Sequence, residues 1–235
     1  MSADQHLTIV RSNIATPVRR IFCLGLVAGC LDAIGFLDLG GIYPGAMTGN
    51  TVQLGIQIVQ AKWESLAIIA MTITAFFSGG LVSSVLRRLL PNPAFELLIM
   101  AGLVAGAQAV RLTTGHPIYF ELPLLAVAMA MQGQTISRFG GLSFQTIVVT
   151  NNLIKCSDAL VGRYILSRDR GRGQLGARKS IAEVVLPGSA WLSYALGAVA
   201  GAWGNSHLTL PFLPPIVLLI LTATDLLSGG ESNEE

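Results

Sequence analysis

Six long apolar runs most strongly constrain what this chain can fold into. They cover roughly residues 18–38, 65–86, 94–111, 119–137, 181–203 and 208–227. A bilayer core about 30 Å thick needs roughly 20 apolar residues to cross it as a helix. Only 12% of the residues are charged, which is about half the share in an ordinary soluble domain. The sequence therefore predicts an all-α protein, a polytopic transmembrane helix bundle with residues 18–227 as one transmembrane domain.

Two polar segments broken by glycine interrupt these runs. Residues 40–51 read GGIYPGAMTGNT, and residues 140–152 read GGLSFQTIVVTNN. Each lies at or near the start of a shorter or more polar helical segment, at about 46–60 and about 143–166. Two interpretations are open. The segments are re-entrant helices that return to their own side, which leaves six spans, or they cross the membrane, which makes eight.

Basic residues predict the orientation, because lysine and arginine concentrate in cytoplasmic loops. Residues 163–179 hold six of them, and the N-terminal region is also basic. We therefore expect a multi-pass protein with both termini in the cytoplasm. Residues 1–17 are predicted to form an N-terminal tail, and residues 228–235, rich in glycine, serine and glutamate, a disordered C-terminal tail.

The same rule can be used to compare the six-span and the eight-span topology. Eight spans place Arg87, Arg88 and Arg138 outside the cytoplasm. Six spans place only Lys62 and Arg111 there. Fewer basic residues outside favour six spans, but the margin is too small to decide between the two topologies.

The two broken segments also suggest an internal repeat. When residues 40–41 are aligned with 140–141, the halves 18–112 and 118–227 have the same order: a span, a broken polar element and two more spans. If the broken elements are re-entrant, the halves have opposite orientations. Such inverted repeats, with broken helices near the midplane, are the plan of many transporters. If the elements cross the membrane, the repeat is parallel.

Asp32 is the first candidate site residue, because it lies inside the first apolar run. A carboxylate in hydrocarbon is costly, so an ionisable residue at such a position indicates function by default. The alternative is a structural hydrogen bond or ion pair to another helix. If Asp32 were protonated in one state, it could couple transport to protons.

Thr48, Gly49 and Asn50 follow a Pro-Gly pair and are predicted to open a helix. An exposed helix start offers free N–H groups and a partial positive charge, which suit a small polar or anionic solute. The alternative is that the threonine and asparagine only cap their own helix. Gln53, Gln132 and Gln134 are interpreted either as lining of a polar path or as interhelical hydrogen-bonding groups.

The second broken element supplies the corresponding residues Thr150, Asn151 and Asn152. The alignment places Thr150 opposite Thr48, and it places Asp32 opposite Gln132. On a helix Asn151, Lys155 and Asp158 share a face. Three roles stay open for Lys155: an ion pair with Asp158, an ion pair with Asp32, or binding of an anionic substrate.

Small residues recur four positions apart in the pairs Gly25 with Gly29, Gly102 with Gly106, and Gly197 with Gly201. Such spacing lets helix backbones approach closely in lipid. We expect close packing within the bundle, with a homo-oligomer interface as the alternative.

Motifs for enzymatic chemistry are absent from the sequence. It contains no Gly-x-x-x-x-Gly-Lys and no His-Glu-x-x-His motif. The histidines and cysteines have no metal-ligand spacing. We therefore expect no enzyme, no catalytic residue, no metal and no cofactor, and the bilayer rather than nucleic acid as the surrounding partner.

A family resemblance rests on the motifs around both broken segments. Asp32, the glycine pair and residues 47–55 (MTGNTVQLG) resemble the opening of the YoaK-like family of bacterial membrane proteins. Residues 130–134 (AMQGQ) and 146–158 resemble its second half, with departures at Asn151 and within 132–134. The resemblance implies a six-span bacterial inner-membrane protein of a family whose function is uncharacterised.

Together these features predict a small-solute transporter or channel with a path between the two half-repeats. The alternative is a non-transporting membrane protein, an assembly factor or a partner subunit of another membrane complex. The sequence alone does not specify the substrate, the direction of transport, the energy coupling or the oligomeric state.

Overall fold

The computed structural model describes residues 3–113, 118–135, 149–165 and 181–228. Every regular element in this described part is a helix, which confirms the all-α prediction. In chain order the helices are α1 Ala3–Asp38, α2 Met47–Val59, α3 Trp63–Leu89, α4 Ala94–Thr113, α5 Ile118–Thr135, α6 Val149–Leu160, α7 Ile181–His207 and α8 Leu213–Ser228. A π-helical turn, Val161–Ile165, extends α6.

Four of these helices are long and apolar enough to cross a membrane: α3, α4, α7 and the part of α1 from Ala15 to Asp38. Helix α8 is apolar but has 16 residues, and α5 has 18. Large apolar side chains such as Phe77, Leu89 and Val199 stay more than half exposed. Extensive exposed apolar surface marks contact with lipid or with a partner. The structure therefore supports a membrane bundle, and crossing by α5 and α8 stays a prediction.

Some predicted segments differ from the structure or fall outside its described part. Helix α1 begins at Ala3, so the predicted tail 1–17 is helical from that residue onward. The second glycine pair at 140–141, residues 166–179 of the basic loop and the tail from 229 to 235 lie outside the described residues.

The break between α1 and α2 depends on its glycine pair. Gly40 has a φ angle of +74° and Gly41 one of +76°. These angles lie in the left-handed region, which glycine adopts without the strain that a side chain would cause. The chain therefore reverses after Asp38, and the backbone of Gly45 returns to within hydrogen-bond distance of Asp32, at 2.6 Å.

Helices α1 and α7 pack closely through small residues. The glycines at this contact are Gly25 and Gly29 on α1, and Gly197 and Gly201 on α7. A Cβ on Gly201 would lie 2.5 Å from the carbonyl oxygen of Cys30, closer than side chains normally approach. This confirms packing within the bundle for two of the three predicted glycine pairs.

The third pair behaves differently. A Cβ on Gly102 would meet no atom within 4 Å in the described part of the chain, and one on Gly106 would meet only Leu124, at 3.7 Å. The expectation of close packing is therefore wrong for Gly102, because α4 turns this position away from its neighbours. A glycine outside the predicted pairs, Gly79 of α3, instead approaches α5, where its Cβ would lie 2.8 Å from Cα of Val127.

Ion pairs at the two ends of the bundle define the directions of the helices. In the Arg111 cluster (Arg111, Asp38, Glu121 and Asn205), the Arg111 guanidinium lies 2.6 Å from Asp38 and 3.2 Å from Glu121. Asp38 ends α1 and Glu121 is near the start of α5, so these two helices run in opposite directions.

The other cluster, the Asp225 cluster, contains Asp225, Arg19 and Arg20. Arg20 Nε lies 2.9 Å from Asp225 Oδ2, and Arg19 also pairs with this carboxylate. Both arginines are in the first half of α1, and Asp225 is near the end of α8. The cluster therefore joins the first helix to the last one.

Candidate functional site

A cavity of about 1060 Å³ lies where helices α1, α2, α3, α5, α6 and α7 meet. From the first half it is lined by Gly29, Asp32, Ala33, Phe36, Leu37, Tyr43, Gly45, Ala46, Met47, Thr48, Gly49, Phe76 and Gly80. From the second half it is lined by Ala130, Gly133, Gln134, Val149, Thr150, Tyr194, Ala198 and Ala202. The starts of α2 and α6, which contain the two predicted polar elements, therefore meet at one cavity.

Asp32 lies in the wall of this cavity and is 2% exposed. Its Oδ1 accepts the N–H of Gly45 at 2.6 Å, and its Oδ2 accepts the hydroxyl hydrogen of Tyr194 at 2.7 Å. Asp32 thus holds the first helix, the start of α2 and α7 together, and Lys155 is not among its partners.

The same contact explains how α2 begins. Its N-cap residue is Ala46, and no side chain of α2 itself caps the helix. The Asp32 carboxylate lies at this helix start instead, where the helix dipole favours a negative charge. Thr48 is exposed and lines the cavity, so it does not act as the cap that was its alternative role.

Gly49 is the second residue of this group in the cavity wall. A Cβ at Gly49 would lie 3.2 Å from the ring of Tyr43, so the glycine leaves room for that ring. The Tyr43 ring in turn stacks on Phe36, with centroids 4.7 Å apart.

Asn50 and Gln53 lie behind the cavity wall. Asn50 is fully buried, and its Nδ2 donates to the carbonyl of Tyr43 at 2.6 Å while its Oδ1 accepts the N–H of Tyr43 at 3.0 Å. Gln53 Nε2 donates to the carbonyl of Gly41 at 2.8 Å. Both amides hold the loop between α1 and α2 in place, and neither is among the described residues that line the cavity.

Gln132 has a comparable structural contact. It is fully buried, and its Nε2 donates to the carbonyl of Leu24 at 2.6 Å, which links α5 to α1. Two positions further on, Gln134 lines the cavity and accepts a hydrogen bond from Arg87 at 2.7 Å.

In the second polar element, too, some residues line the cavity and others do not. Thr150 lines the cavity, whereas Asn152 is fully buried. Asn151 and Asp158 are exposed and Lys155 is partly buried, and none of these three is among the described lining residues. The buried positions of α6 are Asn152 and Ala159, so the face shared by 151, 155 and 158 is not the buried face.

Sequence reasoning did not identify the aromatic part of the site. Phe36, Tyr43, Phe76 and Tyr194 line the cavity. Among these residues, Tyr194 could have been identified most readily from the sequence, because a hydroxyl in the middle of an apolar helix needs a hydrogen-bond partner. That partner is Asp32, and it could not be identified without the packing of α1 against α7.

Comparison with known proteins agrees with the sequence resemblance. The family described as Protein of unknown function (DUF1275) matches residues 21–224 of the chain. The chain belongs to this DUF1275 family. The UPF0700 transmembrane protein YoaK of Bacillus subtilis (strain 168) is 24% identical over 223 residues, which cover 88% of this chain and 93% of that protein. No solved structure matches.

The extent of the DUF1275 match includes all of the candidate site residues. It runs from Ile21 to Thr224, so the cavity wall and the Arg111 cluster lie within it. The Asp225 cluster lies just beyond both of its ends. The relative is a transmembrane protein, which agrees with the apolar helices of this chain.

Proposed function

We propose that this protein is a small-solute transporter or channel whose path passes through the cavity between two inverted half-repeats. The observation that carries the proposal is that both predicted polar elements, at Thr48 and at Thr150, open onto the same cavity. A carboxylate inside a membrane bundle is costly, and ionisable residues at such positions mark solute pathways.

The pairs of packed helices support the repeat. If α1 to α4 are exchanged with α5 to α8, the α1–α7 contact corresponds to α5–α3, the α2–α3 contact to α6–α7, and the α1–α8 contact to α5–α4. All of these pairs are in contact, as are the self-related pairs α1–α5 and α4–α8. Because α1 and α5 run in opposite directions, the repeat is proposed to be inverted.

The residues that line the cavity fit the same exchange of α1 to α4 with α5 to α8. Gly29, Asp32 and Ala33 of α1 line the cavity, and so do the residues 101 positions later, Ala130, Gly133 and Gln134. Likewise Phe76 and Gly80 of α3 correspond to Tyr194 and Ala198 of α7, at a separation of 118. The register of α5 is therefore one residue beyond the glycine alignment, which had placed Gln132 opposite Asp32.

The two ion-pair clusters extend this relation to the ends of the bundle. Arg20 of α1 pairs with Asp225 near the end of α8. Glu121, again 101 positions after Arg20, pairs with Arg111 near the end of α4. The two contacts correspond with their charges exchanged. The first contact holds α1 to α8 and the second holds α5 to α4, at opposite ends of the bundle.

The alternative function, a partner subunit or assembly factor, has one observation in its favour. A Cβ on Gly102 of α4 would meet no atom within 4 Å in the described residues. Small residues at such a position suit packing by a second membrane helix. Stoichiometric co-purification of another membrane protein, without a water-accessible cavity, would support this alternative.

Accessibility of the cavity from both sides of the membrane tests the transport proposal. In a cysteine-free background, Thr48→Cys is labelled with a membrane-impermeant thiol reagent in right-side-out and inside-out vesicles. We expect labelling in both preparations. Val199→Cys, 69% exposed on α7 and not in the described lining, is the lipid-facing control and stays unlabelled. Labelling of Thr48→Cys from one side only, or from neither, would contradict a path.

A further inference from the structure

We infer that the solute is a small organic cation, such as an ammonium compound with an apolar substituent, bound by the Asp32 carboxylate and the aromatic rings around it. The inference rests on the proposed function and deepens it by naming a chemical class. It differs from the polar or anionic solute expected from the sequence.

The charge of the cavity wall is the first argument. Asp32 is the one acidic residue among the described lining residues, and none of them is a lysine or an arginine. Arg87 donates a hydrogen bond to Gln134 Oε1 of the wall, at 2.7 Å, and is not itself among the described lining residues. An anion entering the cavity would therefore meet a negative charge of its own sign, whereas a cation would be attracted.

The contacts of Asp32 are the second argument. Its hydrogen-bond donors include the N–H group of Gly45 and the hydroxyl of Tyr194, both of them neutral. They orient the carboxylate without cancelling its charge. A carboxylate has about four acceptor positions, so it can accept a further donor from a ligand. A buried charge is costly unless a counter-charge pairs with it, and a bound cation would supply one.

These contacts also remove the basis for an anion site. The start of α2 was expected to attract an anion through its free N–H groups. The backbone N–H of Gly45, next to this start, already donates to Asp32, so the carboxylate lies against the helix start. The positive end of the helix therefore already has a carboxylate against it, and that charge disfavours a second anion there.

Aromatic rings supply the third argument. Phe36, Tyr43, Phe76 and Tyr194 come from four different segments and all line the cavity. The face of an aromatic ring attracts a cation within about 6 Å of its centroid. Rings and a single carboxylate together suit an ammonium group that carries apolar substituents.

The size of the cavity separates an organic cation from a metal ion. Its volume is about 1060 Å³, at the upper end of the roughly 300–1,000 Å³ that is usual for small-molecule sites. Hard metal cations take about six or more oxygen ligands at close range. The described residues contain no group of three or more metal-ligating side chains, so the wall is suited to a larger, weakly hydrated cation.

Binding of charge-matched probes to the purified full-length protein in detergent tests the inference. The cationic probes are benzylammonium and benzyltrimethylammonium, the anionic probe is benzenesulfonate, and the neutral probe is benzyl alcohol. Calorimetric titration above neutral pH is expected to detect binding of the cations only. Asp32→Asn is expected to weaken that binding by about tenfold or more, the effect of losing one charge-assisted contact.

Two further variants guard against an effect of misfolding. Phe76→Leu removes one ring without touching the partners of Asp32, and is expected to weaken cation binding by about threefold to thirtyfold. Glu96→Gln changes a carboxylate that is 1% exposed and not in the described lining, and is expected to leave binding unchanged. Binding of benzenesulfonate, no binding of either cation, or cation binding that Asp32→Asn and Phe76→Leu leave unchanged would each overturn the inference.

The labelling experiment distinguishes this inference from the proposed function. If Thr48→Cys is labelled from both sides but only benzenesulfonate binds, the path stands and the cationic class is wrong. If the cations bind in an Asp32-dependent way but labelling occurs from one side only, the cation site stands and the path is wrong.

Discussion

Helices α1 and α5 both line the cavity, but only α1 carries a charged side chain there. Asp32 of α1 accepts hydrogen bonds from the start of α2 and from α7. At the related position of the proposed repeat, α5 has Gly133, followed by Gln134. Two facing carboxylates would repel each other in a medium of low dielectric. In the proposed repeat, the two halves share their backbone packing and differ in their chemistry at the cavity.

The two halves can be compared most directly at the glycines where the backbones of neighbouring helices pack closely. Gly197 brings α7 against α1, and Gly79 brings α3 against α5. We expect Gly197→Leu and Gly79→Leu each to destabilise the fold by on the order of 3 kcal/mol or more, because both side chains would overlap backbone atoms. Size-exclusion chromatography and thermal unfolding in detergent measure the loss of folded protein.

Gly102→Leu is the matched control for this pair, because its side chain would enter open space. It is expected to leave the folded fraction unchanged. If Gly79→Leu were tolerated while Gly197→Leu was not, the two contacts would not be equivalent and the proposed repeat would lose its main packing argument.

Breaking the two ion-pair clusters is expected to cause the next largest loss of stability. Arg111→Ala leaves the fully buried Glu121 carboxylate and Asp38 without this cation, and breaking a buried pair costs about 3–5 kcal/mol. Asp225→Ala removes a carboxylate that is 28% exposed, so we expect a smaller loss. Thermal unfolding of both variants at equal detergent concentration compares them.

The double variant Arg111→Ala with Glu121→Gln tests whether the unpaired charge of Glu121 causes the loss of stability in Arg111→Ala. Removing the stranded charge should restore part of the lost stability. A double variant that is less stable than Arg111→Ala alone would show that the charge of Glu121 is not what makes the single change costly.

The buried asparagines compare the two polar elements directly. Asn50→Ala removes both hydrogen bonds to the backbone of Tyr43, and a buried polar group left unsatisfied costs about 1–3 kcal/mol. We expect a similar loss from Asn152→Ala, because Asn152 is equally buried. Thr51→Ala, which removes only an exposed hydroxyl contact, is the control for thermal unfolding. A stable Asn50→Ala protein would contradict the structural role given to this residue.

Cysteine labelling at the two ends of α3 tests the orientation of this helix in the membrane. Among the proposed variants, these exposed substitutions are expected to affect stability least. Lys62 precedes α3 and Arg88 lies in its last turn, and both are exposed. In the inverted arrangement Lys62→Cys is labelled only from outside and Arg88→Cys only from the cytoplasm. Cytoplasmic labelling of Lys62→Cys would mean that α2 crosses the membrane, and the repeat would then be parallel.

Much of the fold could be predicted because it depends on local properties of the chain. The apolar runs predicted helices, and the glycine pair at 40–41 predicted the break that the positive φ angles produce. Thr48 and Thr150 were also predicted to line one path, and both line the same cavity. The roles of Asn50 and Gln53 did not follow, because a polar side chain after a turn can bind either a solute or its own backbone.

The sequence by itself therefore determined the helical class, the membrane-protein class and the break at residues 40–41. These depend on helix length, hydropathy and backbone preference, which each segment carries in its own residues. Only the tertiary structure decided that Asp32 meets Tyr194, which is 162 residues away, and that four aromatic rings surround the same space. Such contacts depend on which helices pack together and in what register, and the pattern within one segment does not contain that information.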